Sequence, residues 1–185
     1  ALDQGGQLFF DIFDTDGMLG DAVMINGSYS PYFEVLPRKY RFRIQNACIS
    51  RILQLAVASP TGGAVPMKVV SMDGNLIVAP TSVTGTNIMG MGERVDVIID
   101  FSAFRPGDKL KVINRAKHKT GKRLEEIVSF GYALAGRDDE DPAVAPILEF
   151  RVAGQVASVD VPGVTHYATD PDKSVVPTVL TQQIP

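Results

Sequence analysis

Two histidines and one cysteine are the residues of this 185-residue chain best suited to metal chemistry. A copper site built on imidazole and thiolate needs two histidines and a cysteine brought together, with a weak axial ligand. Cys48 is followed by five residues without a histidine, and His118 and His166 are far apart and unpaired. We therefore interpret Cys48 as a small core or strand-end residue. We expect His118 to be solvent exposed in a polar loop and place His166 in a C-terminal tail.

Carboxylates and methionines offer two further kinds of site. Asp96 and Asp100 share one face of an extended run, but at about 3.3 Å per residue they are well over about 10 Å apart, so they are not an acid–base pair. Met89 and Met91 are more typical of gap filling at a domain contact than of soft-metal binding. The chain has no Gly-x-Ser-x-Gly elbow, no phosphate-binding Walker loop and no zinc-ligand spacing.

An acidic cluster near the start of the chain invites a calcium interpretation. The stretch Asp14-Thr15-Asp16-Gly17 resembles half of an EF-hand loop, but Ile12 and Val23 stand where oxygen ligands are required. We therefore predict a turn in which the Asp side chains bond the local backbone.

The segment from residue 114 to residue 123 concentrates positive charge. Its basic side chains are Arg115, Lys117, His118, Lys119, Lys122 and Arg123. Such a cluster can contact phosphate or nucleic acid, but it lacks interleaved aromatic residues, so we interpret it as a solvated loop. The acidic loop at residues 137–141 is expected to neutralise it across a neighbouring turn.

Composition limits the function classes further. The chain is 45% hydrophobic, which is enough for a real core, and its net charge of −3 gives no global motive for binding nucleic acid or an anionic membrane. A single cysteine forms no internal disulfide and gives no redox-compartment signal. The first residues lack the pattern of a signal peptide, and no stretch approaches the roughly 20 apolar residues of a membrane span.

Short extended runs separated by turn signals dominate the chain. Tyr40, Phe42 and Ile44 alternate with polar residues, which is typical of a half-buried strand. Asn26-Gly27 and Asp73-Gly74 predict tight turns. We predict roughly ten short strands, drawn from residues 7–13, 23–25, 32–35, 40–45, 51–57, 67–72, 76–78, 93–101, 110–113, 128–134 and 147–152. Helix is limited to at most one turn at residues 122–127, and the proline-broken tail at 154–185 is interpreted as a linker.

Four motifs in this order resemble a known family. The segments GDAVMINGSYSPYFEV, PRKYRFRIQNA, SMDGNLI and GERVDVIIDF resemble the second cupredoxin-like domain of three-domain multicopper oxidases of the bacterial laccase, bilirubin oxidase and phenoxazinone synthase type. The resemblance extends from about Leu2 to Val152. It implies an all-β, cupredoxin-like Greek-key β-sandwich or barrel with long loops, in which residues 1–153 form a copper-free middle domain whose first strand is truncated.

The resemblance implies that copper belongs to the parent enzyme, with its ligands in the absent flanking domains. Those domains are the expected partners, and a periplasmic or secreted parent is expected. We assign no catalytic, cofactor-binding or metal residue here, and interpret Arg38, Arg41 and Arg43 as polar-face or interdomain contacts. Loss of the first strand would leave a sheet edge open to self-association. Two alternatives stay open: a copper-free, cell-division type relative that binds proteins, and a free-standing ligand-binding β-sandwich.

Overall fold

The computed structural model describes residues 16–20 and 22–154. Our predictions of a strand at residues 7–13, of His166 in a tail and of a linker beyond residue 154 concern residues outside this range. Asp14 and Thr15 of the predicted turn also lie outside it. Gly17 has a φ of 88°, a left-handed conformation that suits glycine in a turn.

The described chain is built from short strands with a single short helix, which agrees with the predicted all-β class. The strands are β1 (Met24–Ile25), β2 (Ser28–Tyr29), β3 (Tyr32–Val35), β4 (Lys39–Gln45), β5 (Leu55–Ala58), β6 (Ala64–Val65), β7 (Met67–Met72), β8 (Asn75–Val83), β9 (Arg94–Asp100), β10 (Lys109–Asn114), β11 (Ala116–Lys117), β12 (Glu126–Ile127) and β13 (Pro146–Val152), and the helix is α1 (Phe130–Ala135).

Two sheets form the body of the domain. One has five strands in the order β3-β13-β10-β5-β6, and the other has four in the order β4-β9-β7-β8. All pairings within them are antiparallel except that of β13 with β3, which is parallel. Two further pairs, β1 with β2 and β11 with β12, form separate two-stranded hairpins.

The core lies between the two sheets and is rich in aromatic rings. Phe42 of β4 and Phe150 of β13 have ring centroids 5.0 Å apart, and Phe101, directly after β9, has its centroid 5.2 Å from that of Phe150. Tyr40 stacks on Phe42 at 5.9 Å. Because these rings come from both sheets, offset and edge-to-face contacts lock one sheet against the other.

Both predicted tight turns are present. Asn26 and Gly27 have φ values of 49° and 83°, and Asp73 and Gly74 have values of 47° and 84°. Two consecutive residues with positive φ match the right-handed twist of hairpin strands, which explains the choice of Asn-Gly and Asp-Gly. The first turn joins β1 to β2, and the second joins β7 to β8.

Two predictions of local structure are wrong. Residues 128–134 are not a strand: α1 begins after Ser129, whose side chain accepts a hydrogen bond from the Tyr132 N–H, and ends at Gly136, with a φ of 60°. A serine N-cap and a left-handed glycine define a helix that the apolar run concealed. The helical turn predicted at residues 122–127 is instead a turn followed by β12.

The strand predicted at residues 51–57 is shorter than expected. Leu53 makes an isolated bridge with Met89, and continuous pairing starts only at Leu55. All four residues of β5 are buried, so this strand is covered on both faces. The described part of the chain contains no helix with the length and apolar character needed to cross a membrane.

Candidate functional site, a buried charged cluster beside a cleft

Loops that are distant in sequence bring together a cluster of buried ionisable residues. Three segments build it: the loop before β5, which supplies Arg51; the end of β11 and the loop after it, which supply Lys117 and His118; and the loop after α1, which supplies Asp138 and Asp141. We call these five residues the ionic cluster.

Arg51 and Asp141 form its centre. The Arg51 Nη1 lies 2.8 Å from the Asp141 Oδ2, and both side chains are only 2% exposed. Arg51 also donates through Nη2 to the carbonyl of Gly20, which connects the cluster to the first described segment. The Ala143 N–H and the His118 N–H donate to the two oxygens of Asp141. A buried guanidinium is therefore matched by a carboxylate that receives three hydrogen bonds.

His118 is buried, so the prediction that it is solvent exposed is wrong. Its residue exposure is 1%, and its Nε2 accepts a hydrogen bond from the Ile52 N–H at 3.2 Å. A ring nitrogen that accepts from an amide is unprotonated, so the neutral imidazole has its proton on Nδ1. Burial, followed by the positive charge of Arg51, holds the pKa of His118 below its ordinary value. The Nδ1 lies 3.9 Å from the Asp141 Oδ2 and is shielded from solvent.

Lys117 extends the cluster towards the surface. Its Nζ lies 2.9 Å from the Asp138 Oδ2 and 3.0 Å from the Glu140 Oε2. Because the Lys117 ammonium donates to the carboxylates of Asp138 and Glu140, the pKa of Lys117 is raised and that of Glu140 is lowered. Burial works to raise the pKa of Asp138, but the Lys117 hydrogen bond and the N–H groups of Asp141 and Glu140 outweigh it, so the net shift is downward.

The prediction that the basic loop is solvated is therefore correct for some of its residues and wrong for others. Lys117 and His118 are buried, whereas Lys119 and Lys122 are exposed. The expectation that the acidic loop neutralises the basic one is confirmed by the pairs that Lys117 makes with Asp138 and Glu140.

A cleft of about 420 Å³ opens beside the cluster. Arg51, His118 and Asp141 line it together with residues 16–20 and 119–121. Its walls are in close contact, since a Cβ added at Gly121 would overlap the carbonyl oxygens of Asp16 and Gly17. On one side of the cleft the backbone at Gly121 is in close contact with the backbone of Asp16 and Gly17, a contact we call the backbone crossing. On the other side lies the Arg51–Asp141 ion pair.

Among the residues considered for copper, those within 16–20 and 22–154 do not form a donor set. His118 has its Nε2 occupied by an amide and its Nδ1 shielded from solvent. Cys48 is half-buried against the hydrophobic core, and burial raises the pKa of its thiol, which opposes formation of the thiolate that a metal requires. Met89 is buried in that core, and Met91 is exposed. Among the described residues, no three histidine, cysteine, aspartate or glutamate side chains are grouped as a metal site.

Asp96 and Asp100, the carboxylates weighed as an acid–base pair, have separate partners. Asp96 accepts two hydrogen bonds from Arg41, at 3.0 and 2.5 Å, across the β4–β9 pair. Asp100 accepts from Ser102, and these hydrogen bonds lower its pKa. Arg38, also expected on a polar face, lies over the Tyr40 ring with its Cζ 5.1 Å from the centroid. Each of these groups therefore has a contact within the domain.

The central pair, Arg51 and Asp141, was not predicted from the sequence. Arg51 stands at the start of an apolar run and Asp141 in an acidic loop, 90 residues later. Two residues this far apart in the chain leave no recognisable pattern in the sequence around either of them. The local feature that could have suggested an ordered loop here is Asp138. Its side chain accepts hydrogen bonds from the N–H groups of Glu140 and Asp141 in an Asx-type turn.

Comparison with known proteins gives a consistent group of relatives. A laccase of Haloferax volcanii is 30% identical over 147 residues, which cover 76% of this chain and 25% of that protein. A bilirubin oxidase of Albifimbria verrucaria is 30% identical over 165 residues, covering 87% of this chain and 24% of that protein. The cell division protein FtsP of Escherichia coli is 32% identical over 111 residues, covering 60% and 22%. No family model matched the chain.

A solved structure has the same fold. The multicopper oxidase McoA of Aquifex aeolicus superposes with a TM-score of 0.62 at 25% identity, covering 82% of this chain and 29% of that one. This likeness confirms the cupredoxin-like, all-β architecture. The chain spans about a quarter of the length of the curated relatives it matches.

Proposed function

This chain belongs to the multicopper oxidase family, and we propose that it is the copper-free middle domain of a larger oxidase. In that protein it would be a scaffold that holds two copper-bearing domains in register, while the parent couples oxidation of a substrate to reduction of dioxygen to water. The domain would extend to about residue 153, a boundary supported by the end of β13 at Val152. Residues beyond it would lead to the next domain.

The observation that supports this proposal best is the state of His118. Copper binding by an imidazole needs a free ring nitrogen, but its Nε2 is committed to the Ile52 amide and its Nδ1 is sealed beside Arg51 and Asp141. The one cysteine, Cys48, stands three residues before Arg51 in the sequence and packs against the apolar core. Copper would therefore be held by the flanking domains of the parent.

Copper titration of the purified chain tests the proposal. We expect no stoichiometric copper after incubation with Cu(II) or Cu(I) and removal of free metal, and no oxidation of phenolic dyes in air. His118→Gln is the matched variant, since residual copper that is unchanged in this variant is bound adventitiously elsewhere. About one tightly held copper per chain, lost in His118→Gln, would contradict the proposal.

A second candidate function follows from the likeness to the FtsP protein, which covers 60% of this chain. In that case the parent would keep the three-domain scaffold for protein binding and would lack copper ligands. The complete polypeptide encoded by the gene distinguishes the two: His-x-His pairs and a His-Cys-His run outside this chain support the oxidase, whereas their absence supports the binding protein.

A further inference from the structure

Strand β8 is exposed on both of its faces. Seven of its nine residues are exposed, and the other two, Ile77 and Val83, are partly covered. Leu76 is 75% exposed and Val78 is 102% exposed, which are the highest values among the large apolar side chains of the described residues. The strand contains no charged residue. A long, apolar and uncharged edge strand is an open template for association.

The other sheet edges are protected in the usual ways. The opposite edge of the four-stranded sheet, β4, has Lys39, Arg41 and Arg43 along it. The edges of the five-stranded sheet are β3, with four residues, and β6, with two. Charge and shortness both discourage strand pairing with another protein. Strand β8 is neither charged nor short, and its protection against strand pairing is limited to Pro80 and the register shift in its pairing with β7.

The two most exposed apolar side chains lie together on this strand. Leu76 pairs with Ser71 of β7, and Val78, two residues further along, is on the same face of β8. Met72 of β7 is also 40% exposed, but it pairs with Asn75 and therefore lies on the opposite face. We call Leu76 and Val78 the β8 patch. They have the highest exposed fractions of the nine large apolar side chains that are exposed in the described chain, which marks the patch as an interaction surface.

We propose that the β8 patch is the docking surface for a neighbouring domain of the same polypeptide. The inference rests on the proposed function, and it adds the surface through which the scaffold holds its neighbour. The curated relatives are about four times as long as the matched segment, so most of the parent protein is available to cover this edge. Because β8 has no charged side chain, a charged side chain of the partner would be desolvated there without an opposite charge, so an uncharged partner surface fits this edge better.

Hydroxyl-radical footprinting measures the exposure of these side chains directly. We compare the 185-residue chain at low concentration with the complete polypeptide encoded by its gene. Labelling of Leu76 and Val78 is expected to fall by at least about fivefold in the complete polypeptide, because the core of an interface excludes water. Equal labelling in the two proteins would overturn the proposal.

Matched variants separate docking from folding. Val78→Asp introduces a charge in the β8 patch, and Ser82→Asp introduces the same charge on an exposed residue further along the strand. Neither variant should alter the thermal midpoint of the 185-residue chain. In the complete polypeptide, Val78→Asp should restore labelling of Leu76, and Ser82→Asp should not. Unchanged protection of Leu76 in Val78→Asp would count against the patch.

Two other results would overturn either the choice of partner or the proposed function. Protection of Leu76 that increases with concentration in the 185-residue chain would assign the edge to a second copy and overturn docking of a flanking domain. A complete polypeptide without further domains would instead refute the proposed function, before any footprinting is done.

Discussion

The ionic cluster and the β8 patch depart from the usual distribution of residues in opposite directions. The cluster buries charged groups, with Arg51 and Asp141 almost inaccessible to water. The β8 patch exposes apolar groups, with Val78 in full contact with solvent. In the cluster, each charge finds its partner inside the domain. In the patch, the apolar surface finds little cover among the described residues.

The difference shows which region is complete and which is available for binding. A buried charge with an internal partner stabilises one arrangement of loops and leaves little capacity for a ligand. An exposed apolar edge leaves free energy that association can release. The ionic cluster, which has the more reactive residue types, is therefore structural. The β8 patch, which has the less reactive types, is the better candidate for binding a partner.

The largest effect is expected from removing one side of the central ion pair. Arg51→Met leaves Asp141 buried without its guanidinium, which should lower the free energy of unfolding by about 3–5 kcal/mol. Urea unfolding followed by circular dichroism measures it. Lys119→Met, at an exposed lysine, is the control and should change stability by less than about 0.5 kcal/mol. A similar small effect of both variants would show that the cluster is not structural.

The backbone crossing beside the cleft gives the next effect. Gly121→Ala places a methyl group against the carbonyl oxygens of Asp16 and Gly17, and forced overlap of this kind costs about 1–3 kcal/mol. Gly131→Ala in α1 is the matched control, because no atom lies within 4 Å of its added Cβ. Replacing glycine by alanine in a helix should raise the free energy of unfolding by up to about 1 kcal/mol. Equal effects in thermal unfolding would contradict the tight crossing.

Acid should weaken the cluster through His118. The pKa of His118 is lowered in the folded protein from an ordinary value of 6.5, so the unfolded chain binds more protons just below that pH. The free energy of unfolding should therefore fall as pH drops below about 6.5, by at most about 1.4 kcal/mol per pH unit for one proton. Chemical unfolding between pH 7.5 and 5.5 measures the slope. His118→Gln should flatten it, and an unchanged slope would assign the titration to another group.

The smallest effect is expected at the β8 patch of the isolated chain. Leu76→Lys alters a side chain that is already largely in water, so stability should change by no more than about 0.5 kcal/mol. Leu110→Ala removes a fully buried leucine and should cost about 2–5 kcal/mol. Both are compared by urea midpoint. A large loss in Leu76→Lys would mean that the patch is covered within the chain.

Much of the sheet could be predicted because its signals are local. Alternation at residues 40–45 and the turn dipeptides Asn26-Gly27 and Asp73-Gly74 depend on neighbours in sequence, and the structure confirms them. Helix α1 was missed because its apolar residues also fit a strand. Its Ser129 cap and Gly136 stop were the signals that distinguish the two.

The ionic cluster could not be predicted because burial is decided by distant segments. His118 stands in a strongly polar sequence, where exposure is the ordinary expectation, and only the approach of Arg51 and Asp141 from far along the chain makes burial tolerable. The same limit applies to β8. Residues 76–78 were predicted only as a hairpin strand, and the sheet order shows that this strand lies at an edge.

The parallel pairing of β13 with β3 has a mechanical consequence. β13 is bonded along its length to β10 on one side and to β3 on the other, from Glu149 to Val152. Tension applied to the chain at Val152 would load these hydrogen bonds together in shear, rather than opening them one at a time. A strand anchored in this way transmits force into the sheet without peeling away.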